Sequence, residues 1–495
     1  MVGSLPIMRA ILAQSQALLL NRREVMAGAA ATAMVLPTLA QTATAAETLV
    51  DDASHMNQTP VFSHWITKPP DRDILIDRLR RELKDAKAAR RPVAIAGARH
   101  SMGGQSIPKD GHAIQLNIPD LEIDRAGNRY HTGAGARWDQ VVAALDPVGL
   151  SPLIMQSNDD FAVGSTLCVN AHGWPIPHGP FGDSVRSFRL MLADGEIITC
   201  SPTENAELFQ AAIGGYGLLG IVLDLELDAA ENTLLEAQAQ VMPAEQFGAA
   251  LQAAARSGGK VDMAYGRLSL SRENFLREAL LVTYGRKPGA GTPPAATVGG
   301  FISNVSRHVF RAQIGSDFWK RQRWTIERRF KPGTDTRNTL LNEPVSSLGP
   351  AGQGRTDILH EYFVPPARFA DFMAACRRHI PGSGQDLLNV TLRYLAPDRR
   401  SLLAYAPDER VAAVMLFSQT RDADGDAAMA RMTRALIDEV LAIGGCYYLP
   451  YRLHATAEQM HRAYPGLDRF LALKRQHDPG LLFRNRLWDH YLAAT

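Results

Sequence analysis

A loop of small residues directly follows a short β-forming run in RPVAIAGARHSMGG, residues 91–104. The run ends at Gly97, and His100 lies inside a loop that closes at Gly103 and Gly104. Small residues let backbone N–H groups approach an anionic ligand closely. Five short motifs rich in small residues follow, at 131–135, 163–166, 169–173, 193–195 and 214–222. Together they predict an anion-binding cradle with a histidine beside the ligand.

One of these motifs, at Gly215, Gly217 and Gly220, matches the spacing of the dinucleotide fingerprint G-x-G-x-x-G. A nicotinamide Rossmann site needs a strand before the glycines and a helix after them. Here the pattern predicts a helix before and a strand after. The segment Gly133-Ala-Gly135 has the correct order but carries Trp138 in place of the third glycine. The sequence therefore argues against a Rossmann site.

Composition narrows the class of protein. The 495 residues are 46% hydrophobic and 21% charged, which is typical of globular chains long enough for two or more domains. The net charge of +2 makes nucleic acid an unexpected partner. Four cysteines without C-x-x-C spacing argue against structural zinc, so no metal site is predicted and buried thiols are expected.

The sequence pattern of residues 1–45 predicts an export signal. Arg22 and Arg23 precede an Ala-rich apolar run that ends at Ala43-Thr-Ala45. A membrane anchor is the alternative, but the run is shorter than the ~20 apolar residues that span a bilayer, and Pro37 interrupts it. We expect twin-arginine export to the periplasm or outside, a mature chain starting near Ala46 or Glu47, and no transmembrane span in it.

Hydrophobic periodicity predicts short mixed elements up to about residue 228 and longer ones after it. Helices are expected at 73–89, 139–145, 204–213, 426–443 and 457–482. Strands are expected at 93–96, 113–116, 121–124, 129–132, 188–192, 196–200, 220–227, 357–364, 387–394 and 411–417. Residues 286–300 are rich in Gly and Pro and predict a mobile loop. The segment 310–330 is rich in Arg, Phe and Trp. Its composition is compatible with a lid, a surface contact or a solvated helix face.

The order of eight motifs resembles the vanillyl-alcohol-oxidase (PCMH) type of FAD-linked oxidoreductases, within it the alditol oxidase and decaprenylphosphoryl-ribose oxidase branch. The resemblance runs from about Pro60 to the C-terminus. It rests on AIAGARHSMGG, YHTGAGARW, FAVGSTLCVNAHG, VRSFRLMLADGEI, ELFQAAIGGYGLLGIV, HEYFVP, YYLPYRLHATAEQMHRAYP and HDPGLLFRNRLW.

This resemblance implies an α+β fold. A PCMH-type FAD-binding domain of two subdomains would cover 58–230. A substrate (cap) domain, an antiparallel sheet flanked by helices on one side, would cover 231–450. Residues 451–495 would return to the FAD domain.

FAD is the cofactor that the resemblance implies. Matching the family motifs residue by residue places its contacts at Ala96, Gly97, Ala98, Arg99, Ser101, Met102, Gly103, Ser157, Ala162, Gly164, Ser165, Asn170, His172, Ile221 and Tyr448. Ser165 replaces a second glycine expected after Gly164.

His100 stands where sugar-oxidising relatives carry a histidine bonded to the flavin 8-methyl carbon. The decaprenylphosphoryl-ribose branch lacks this histidine. We therefore expect a single covalent link from His100 to FAD, the alternative being a hydrogen-bonding loop histidine.

The resemblance to the family is less close at the expected substrate-site residues than at the cofactor-binding residues. Arg393 matches a cationic position of the relatives, while Thr391 replaces an acid of alditol oxidases and Tyr451 replaces a lysine of the ribose enzymes. Glu361, Arg452 and His454 are further candidates, with a structural ion pair or a satisfied polar residue as the alternative for Glu361 and His454. Alcohol oxidation needs a base and a cation near the developing oxyanion.

The sequence thus predicts an exported FAD-linked oxidase or dehydrogenase acting on the CH–OH group of a carbohydrate, polyol or related alcohol. Its electron acceptor would be oxygen, a quinone or a cytochrome. The alternatives are a flavin reductase of the enolpyruvyl-sugar reductase type, a lactone oxidase or dehydrogenase, and a non-catalytic flavin-binding protein. The sequence indicates neither the substrate nor the oligomeric state.

Overall fold

The computed structural model describes residues 48–67, 72–289, 291–298, 309–329, 333–344 and 351–493. The predicted export signal lies outside these ranges. Two short strands, β1 (Thr48–Val50) and β2 (Thr59–Val61), pair at the start of the described chain. A small parallel sheet follows, in the order β3–β5–β4, from β3 (Ser63–Ile66), β4 (Val93–Ala96) and β5 (His112–Gln115). Helix α1 (Arg72–Ala88) precedes β4.

Helix α1 forms because apolar residues recur every three or four positions. Leu75, Leu79, Leu83 and Ala86 are buried. The predicted stripe began at Ile76, but Leu75 takes that buried place and Ile76 is half-buried.

The second sheet has the order β10–β9–β11–β7–β6, with β8 on the far part of β11. Its strands are β6 (Leu121–Asp124), β7 (Arg129–Gly133), β8 (Leu150–Pro152), β9 (Val185–Met191), β10 (Ile197–Cys200) and β11 (Ile221–Glu231). Its helices are α2 (Trp138–Leu145), α3 (Val163–Val169) and α4 (Ala206–Ala212). The Gly215–Gly220 segment thus follows a helix and precedes a strand, which confirms that it is not a Rossmann turn.

The third sheet is antiparallel throughout, in the order β15–β12–β14–β13–β17–β18–β16–β19. Its strands are β12 (Leu234–Pro243), β13 (Met263–Leu268), β14 (Glu278–Arg286), β15 (Thr334–Thr336), β16 (Arg355–Val364), β17 (Asp386–Leu395), β18 (Arg410–Thr420) and β19 (Cys446–Tyr447). Helices in this part are α5 (Phe247–Ala255), α6 (Asp317–Arg329), α7 (Arg337–Leu341), α8 (Phe369–His379) and α9 (Ala423–Ala442).

Helices α5, α8 and α9 pack against one face of this antiparallel sheet. A Cβ added to Gly266 would lie 2.2 Å from the ring of Phe247 on α5, and Tyr362 contacts Phe372 of α8. Since neighbouring residues of a strand face opposite ways, Arg267 and Glu361 belong to the other face. That face is free to line a cavity.

The C-terminal segment forms two helices, α10 (Ala457–Ala463) and α11 (Leu467–His477), instead of the single helix predicted over 457–482. Pro465 and Gly466 interrupt it, because proline lacks the N–H that a helix interior requires. The chain then returns to the first sheet, where the Val93 N–H donates to the Leu482 carbonyl at 2.8 Å.

A buried ion pair fixes this return. The Lys474 ammonium contacts Asp478 and donates to the Leu218 and Phe483 carbonyls, both at 2.7 Å. Burial lowers the pKa of Lys474 to about 8.

The α+β class is confirmed by this architecture. The chain passes from the second sheet to the third at residues 232–233, next to the predicted boundary at 230. The division into domains stays a prediction. No helix within the described ranges is long and apolar enough to cross a membrane.

Candidate active site

A cavity of about 390 Å³ lies between the glycine-rich loops and the free face of the antiparallel sheet. This volume falls in the range of small-molecule sites, about 300–1,000 Å³. One wall comes from residues 95–102, 156–158, 164–172 and 216–222, and the other from β13, β16, β17, β18 and the segment 448–451. The site therefore joins the two parts of the molecule that the sequence assigned to cofactor and substrate.

Two glycines allow the loops that line the cavity to pack closely, because neither glycine has a side chain at the contact. A Cβ on Gly97 would lie 2.3 Å from Ser165 Oγ and 2.6 Å from Ala162 Cβ. A Cβ on Gly164 would lie 2.7 Å from Ala134 Cβ. Any larger residue at these positions would push the segments apart, so the cradle exists only with glycine there.

Most predicted cofactor residues line the cavity. They are Ala96, Gly97, Ala98, Arg99, His100, Ser101, Met102, Ser157, Gly164, Ser165, His172 and Tyr448. Four others do not. Ala162 and Ile221 are fully buried behind it, and Gly103 packs under the Tyr451 carbonyl. Asn170 ends α3 in a left-handed conformation, where its amide bonds Asp398 and the Gly182 N–H.

His100 stacks on Phe161, with ring centroids 4.1 Å apart. Its Nε2 lies 3.8 Å from Asp160 Oδ2. Burial lowers the pKa of the imidazole even though Asp160 opposes the shift. The ring is therefore neutral at neutral pH, with a nitrogen lone pair available in the cavity.

A row of four side chains crosses the sheet on its cavity face. Glu361 of β16 pairs with Val414 of β18, Val414 with Thr391 of β17, and Thr391 with Arg267 of β13. All four line the cavity. The row places a carboxylate near one end and a guanidinium at the other.

The carboxylate end is a hydrogen-bonded cluster. Glu361, only 3% exposed, contacts His172 Nε2 and accepts from the Tyr451 hydroxyl at 3.1 Å. Burial and the Glu361 charge raise the pKa of Tyr451 well above its usual value, so the phenol stays protonated. Arg393 Nη1 donates to the His172 carbonyl at 3.0 Å, and burial lowers its pKa. A base, a proton donor and a cation thus share one pocket.

The structure brings Glu361, Tyr451 and Arg393 together but places Arg452 elsewhere. Its guanidinium bonds Asp426 and Asn57, both at 2.9 Å, away from the cavity lining. His454 also bonds Asp426, at 3.0 Å. For His454 the ion-pair alternative is the better interpretation, and Arg452 also forms an ion pair instead of lining the cavity.

Sequence reasoning missed the guanidinium end of the row. Arg267 donates to Thr391 Oγ1 and Asn389 Oδ1, and its guanidinium lies 5.2 Å from the Tyr265 ring. The available signal was an arginine inside the apolar strand β13. The pairing of β13 with β17, about 120 residues later, was not readable from local pattern.

Helix α6 supports this end from outside the cavity. Arg323 donates to Asn389 Oδ1 and the Leu388 carbonyl, both at 2.8 Å, and Trp324 Nε1 donates to Glu278 at 2.8 Å. The remaining face carries exposed Phe318 and Trp319. Segment 317–329 is therefore a helix anchored to the sheet with one solvated face.

Comparison with known proteins identifies the glycine-rich half. Residues 76–201 match the family model described as an FAD binding domain. Over 80% of this chain and 88% of the relative, the sequence is 24% identical to decaprenylphosphoryl-β-D-ribose oxidase of Mycolicibacterium smegmatis. These two matches support the resemblance of the chain to the PCMH-type FAD-linked oxidoreductases.

Two further similarities bear on this flavoprotein. Cytokinin dehydrogenase 8 of Oryza sativa subsp. indica is 32% identical over 151 residues, which are 28% of each chain. The crystal structure of 6-hydroxy-D-nicotine oxidase from Arthrobacter nicotinovorans superposes with a TM-score of 0.59, at 15% identity, over 90% of this chain and 98% of that one. The second likeness concerns the fold alone.

The cofactor of this flavoprotein is FAD, and the cavity fits it. In the described part of the chain, six buried polar atoms on cavity-lining residues have no hydrogen-bond partner: Arg99 Nε, Ser106 Oγ, Ser157 Oγ, His172 Nδ1, Trp174 Nε1 and Arg393 Nε. Buried polar groups are normally paired, so these atoms indicate a polar ligand. The glycine cradle supplies the close backbone approach that a pyrophosphate needs.

Replacing Gly97 by Ala is expected to reduce FAD loading severalfold, because the new Cβ would displace Ser165 and Ala162. The measurement is the ratio of flavin to protein absorbance after purification. Gly382→Ala is the matched control, since a Cβ there meets nothing within 4 Å. Equal loading in both variants would contradict the cradle assignment.

Proposed function

We propose that this flavoprotein oxidises a CH–OH group of a carbohydrate, polyol or related alcohol. The observation that carries the proposal is the Glu361–Tyr451–Arg393 cluster, which faces the same cavity as the FAD cradle. Similarity over most of the chain to a relative named as a ribose oxidase supports a sugar-like substrate.

When bound, FAD supplies the acceptor for the hydride that leaves the substrate carbon. The chain's own residues handle the proton and the charge. Glu361 takes the hydroxyl proton, directly or through the Tyr451 hydroxyl that already donates to it. Arg393 stabilises the negative charge that develops on the substrate oxygen. His172 holds the Glu361 carboxylate in place through its Nε2.

The proposal includes a covalent bond from the His100 imidazole to the 8-methyl carbon of FAD. A neutral ring, kept so by burial, retains the lone pair that such a bond uses. If FAD is held there, His100 would supply the attacking nitrogen; the methyl group would lose one proton, and the two electrons left on the cofactor would pass to the enzyme's electron acceptor. The link would prevent loss of FAD after export.

The test of the activity is an anaerobic screen of the holoenzyme with sugars, polyols, lactones, aromatic alcohols and secondary amines, scored by flavin bleaching. Bleaching by hydroxyl compounds supports the proposal, whereas bleaching by amines alone, or by NADPH alone as in a reductase, refutes it. Reoxidation of the reduced enzyme by oxygen, followed by stopped flow, separates an oxidase from a dehydrogenase that uses a quinone or cytochrome. The proposed export favours the dehydrogenase, because the envelope offers such acceptors.

Export by the twin-arginine route is also part of the proposal, supported by Arg22-Arg23 and the Ala-rich run after it. The mature chain is expected to begin near Ala46 or Glu47. N-terminal sequencing of protein recovered from the periplasm or medium checks this. Lys-Lys in place of Arg22-Arg23 should retain the precursor in the cytoplasm, and an exported chain still starting at Met1 would refute the cleavage.

A further inference from the structure

Two arginines face the cavity from neighbouring strands without a carboxylate partner. Arg267 of β13 is held by the neutral groups Thr391 and Asn389, and Arg393 of β17 by a backbone carbonyl. Neither guanidinium lies within 4.0 Å of an acidic oxygen anywhere in the described ranges. Arginine stays charged in proteins, and a charge in a sheltered site is costly unless it is paired.

The surroundings add positive charge to this end of the cavity. Burial lowers the pKa of both Arg393 and Arg323, and the nearby like charge of Arg267 lowers it further, against the opposite effects of Glu361 on Arg393 and of Glu327 on Arg323. Two carboxylates, Glu361 and Glu343, also line the cavity. Glu361 is already engaged by His172 and Tyr451. Glu361 acts electrostatically on Arg393, whereas the hydrogen-bond partners of Arg267 are the neutral Thr391 and Asn389, so the charge of Arg267 is left for a ligand to neutralise.

We propose that the substrate carries an anionic group, a carboxylate or a phosphate, and that Arg267 binds it. This inference rests on the proposed function and specifies its substrate class. A planar guanidinium fork matches both anions by paired N–H···O bonds. Arg267 is a specificity residue in this scheme, and Asn389 and Thr391 orient it.

Strand spacing sets the size of the ligand. Glu361 and Arg267 stand three strands apart in one row, about 14 Å between Cα atoms at a spacing of ~4.8 Å. The reacting hydroxyl lies by Glu361 and Tyr451, so the anion belongs several bonds away from it. A sugar acid or sugar phosphate fits this spacing, and a short 2-hydroxy acid such as lactate does not.

The experiment compares matched compounds on the holoenzyme under anaerobic conditions: sorbitol, gluconate, glucose 6-phosphate and lactate. The half-saturating concentration for flavin bleaching should be at least tenfold lower for gluconate or glucose 6-phosphate than for sorbitol. The better of the two anions identifies the group bound. Sorbitol acting as well as both anions, or lactate better than both, would overturn the inference while leaving the proposed oxidation intact.

Variants test the residue itself. Arg267→Met should raise the half-saturating concentration of the anionic compound at least tenfold and change that of sorbitol little, with Arg267→Lys in between. Arg286→Met, on the exposed end of β14, is the matched control. Flavin absorbance verifies that each variant is folded and loaded. Equal affinity of Arg267→Met and wild type for the anion would overturn the assignment.

Binding of the anion can also be measured without turnover of a substrate. Glutarate and inorganic phosphate, neither of which can be oxidised here, should perturb the flavin absorbance of the wild type saturably and that of Arg267→Met much less. This result would uphold the anion site even if the screen found no oxidised alcohol. Absence of a saturable change with both compounds, together with no preference among substrates, would refute it.

Discussion

Replacing Glu361 by Gln is expected to slow flavin reduction by about 10²–10⁴-fold, the usual contribution of a general base, while FAD stays bound. Glutamine keeps the shape of the side chain and still contacts Tyr451 and His172, but it cannot take the substrate proton. The measurement is the single-turnover rate of flavin bleaching with a compound identified in the anaerobic screen.

Glu343→Gln is the matched control, because Glu343 also lines the cavity but makes no contact with His172 or Tyr451 through its carboxylate among the described residues. It should change the rate by less than threefold. Tyr451→Phe and Arg393→Ala should each slow bleaching by orders of magnitude with FAD retained. A Glu361→Gln enzyme that reduces its flavin at a rate close to wild type would remove the proposed base.

The His100→Ala variant is expected to carry no covalently bound flavin. Wild-type protein should keep yellow fluorescence on a denaturing gel, since the imidazole bond survives unfolding, whereas the variant should release all its FAD. The variant should still load FAD reversibly, because the cradle at Gly97 and Gly164 does not depend on the imidazole.

His461→Ala, on α10 and outside the cavity lining, is the control and should fluoresce like wild type. A wild-type band without fluorescence would show that His100 only hydrogen-bonds its neighbours. The reduction potential of the flavin should also fall in His100→Ala, which spectroelectrochemical titration can follow.

The local features of the fold were readable from sequence because they depend on local physics. Strand β4, the break at Gly97 and the small residues after it follow from β propensity and from the steric freedom of glycine. The order of helix and strand around Gly215–Gly220 was readable for the same reason. These local features predicted an anion-binding cradle. FAD itself was implied by the resemblance of the motifs to a known family, and the match at 76–201 confirms it.

The substrate side depends on contacts between distant segments. Glu361 and Tyr451 were predicted as separate candidates, but their hydrogen bond spans 90 residues. Arg267 was not predicted at all, since its place beside Thr391 depends on the register of β13 against β17. Arg452, the neighbour of Tyr451 in sequence, was a further candidate, yet the structure pairs it with Asp426. Local pattern cannot show which of two neighbouring side chains turns inward.

The loop that begins at Gly97 is closed by residues that lie more than 300 positions later in the chain. The Met102 N–H donates to the Pro450 carbonyl at 2.8 Å, and the Asn485 amide reaches the Gln105 and Tyr216 carbonyls at 2.7 and 3.0 Å. A nascent chain released before these residues emerge lacks one wall of the site. We therefore expect the flavin to load only after the chain has been synthesised past Asn485, and stop codons placed before Pro450 should yield colourless protein.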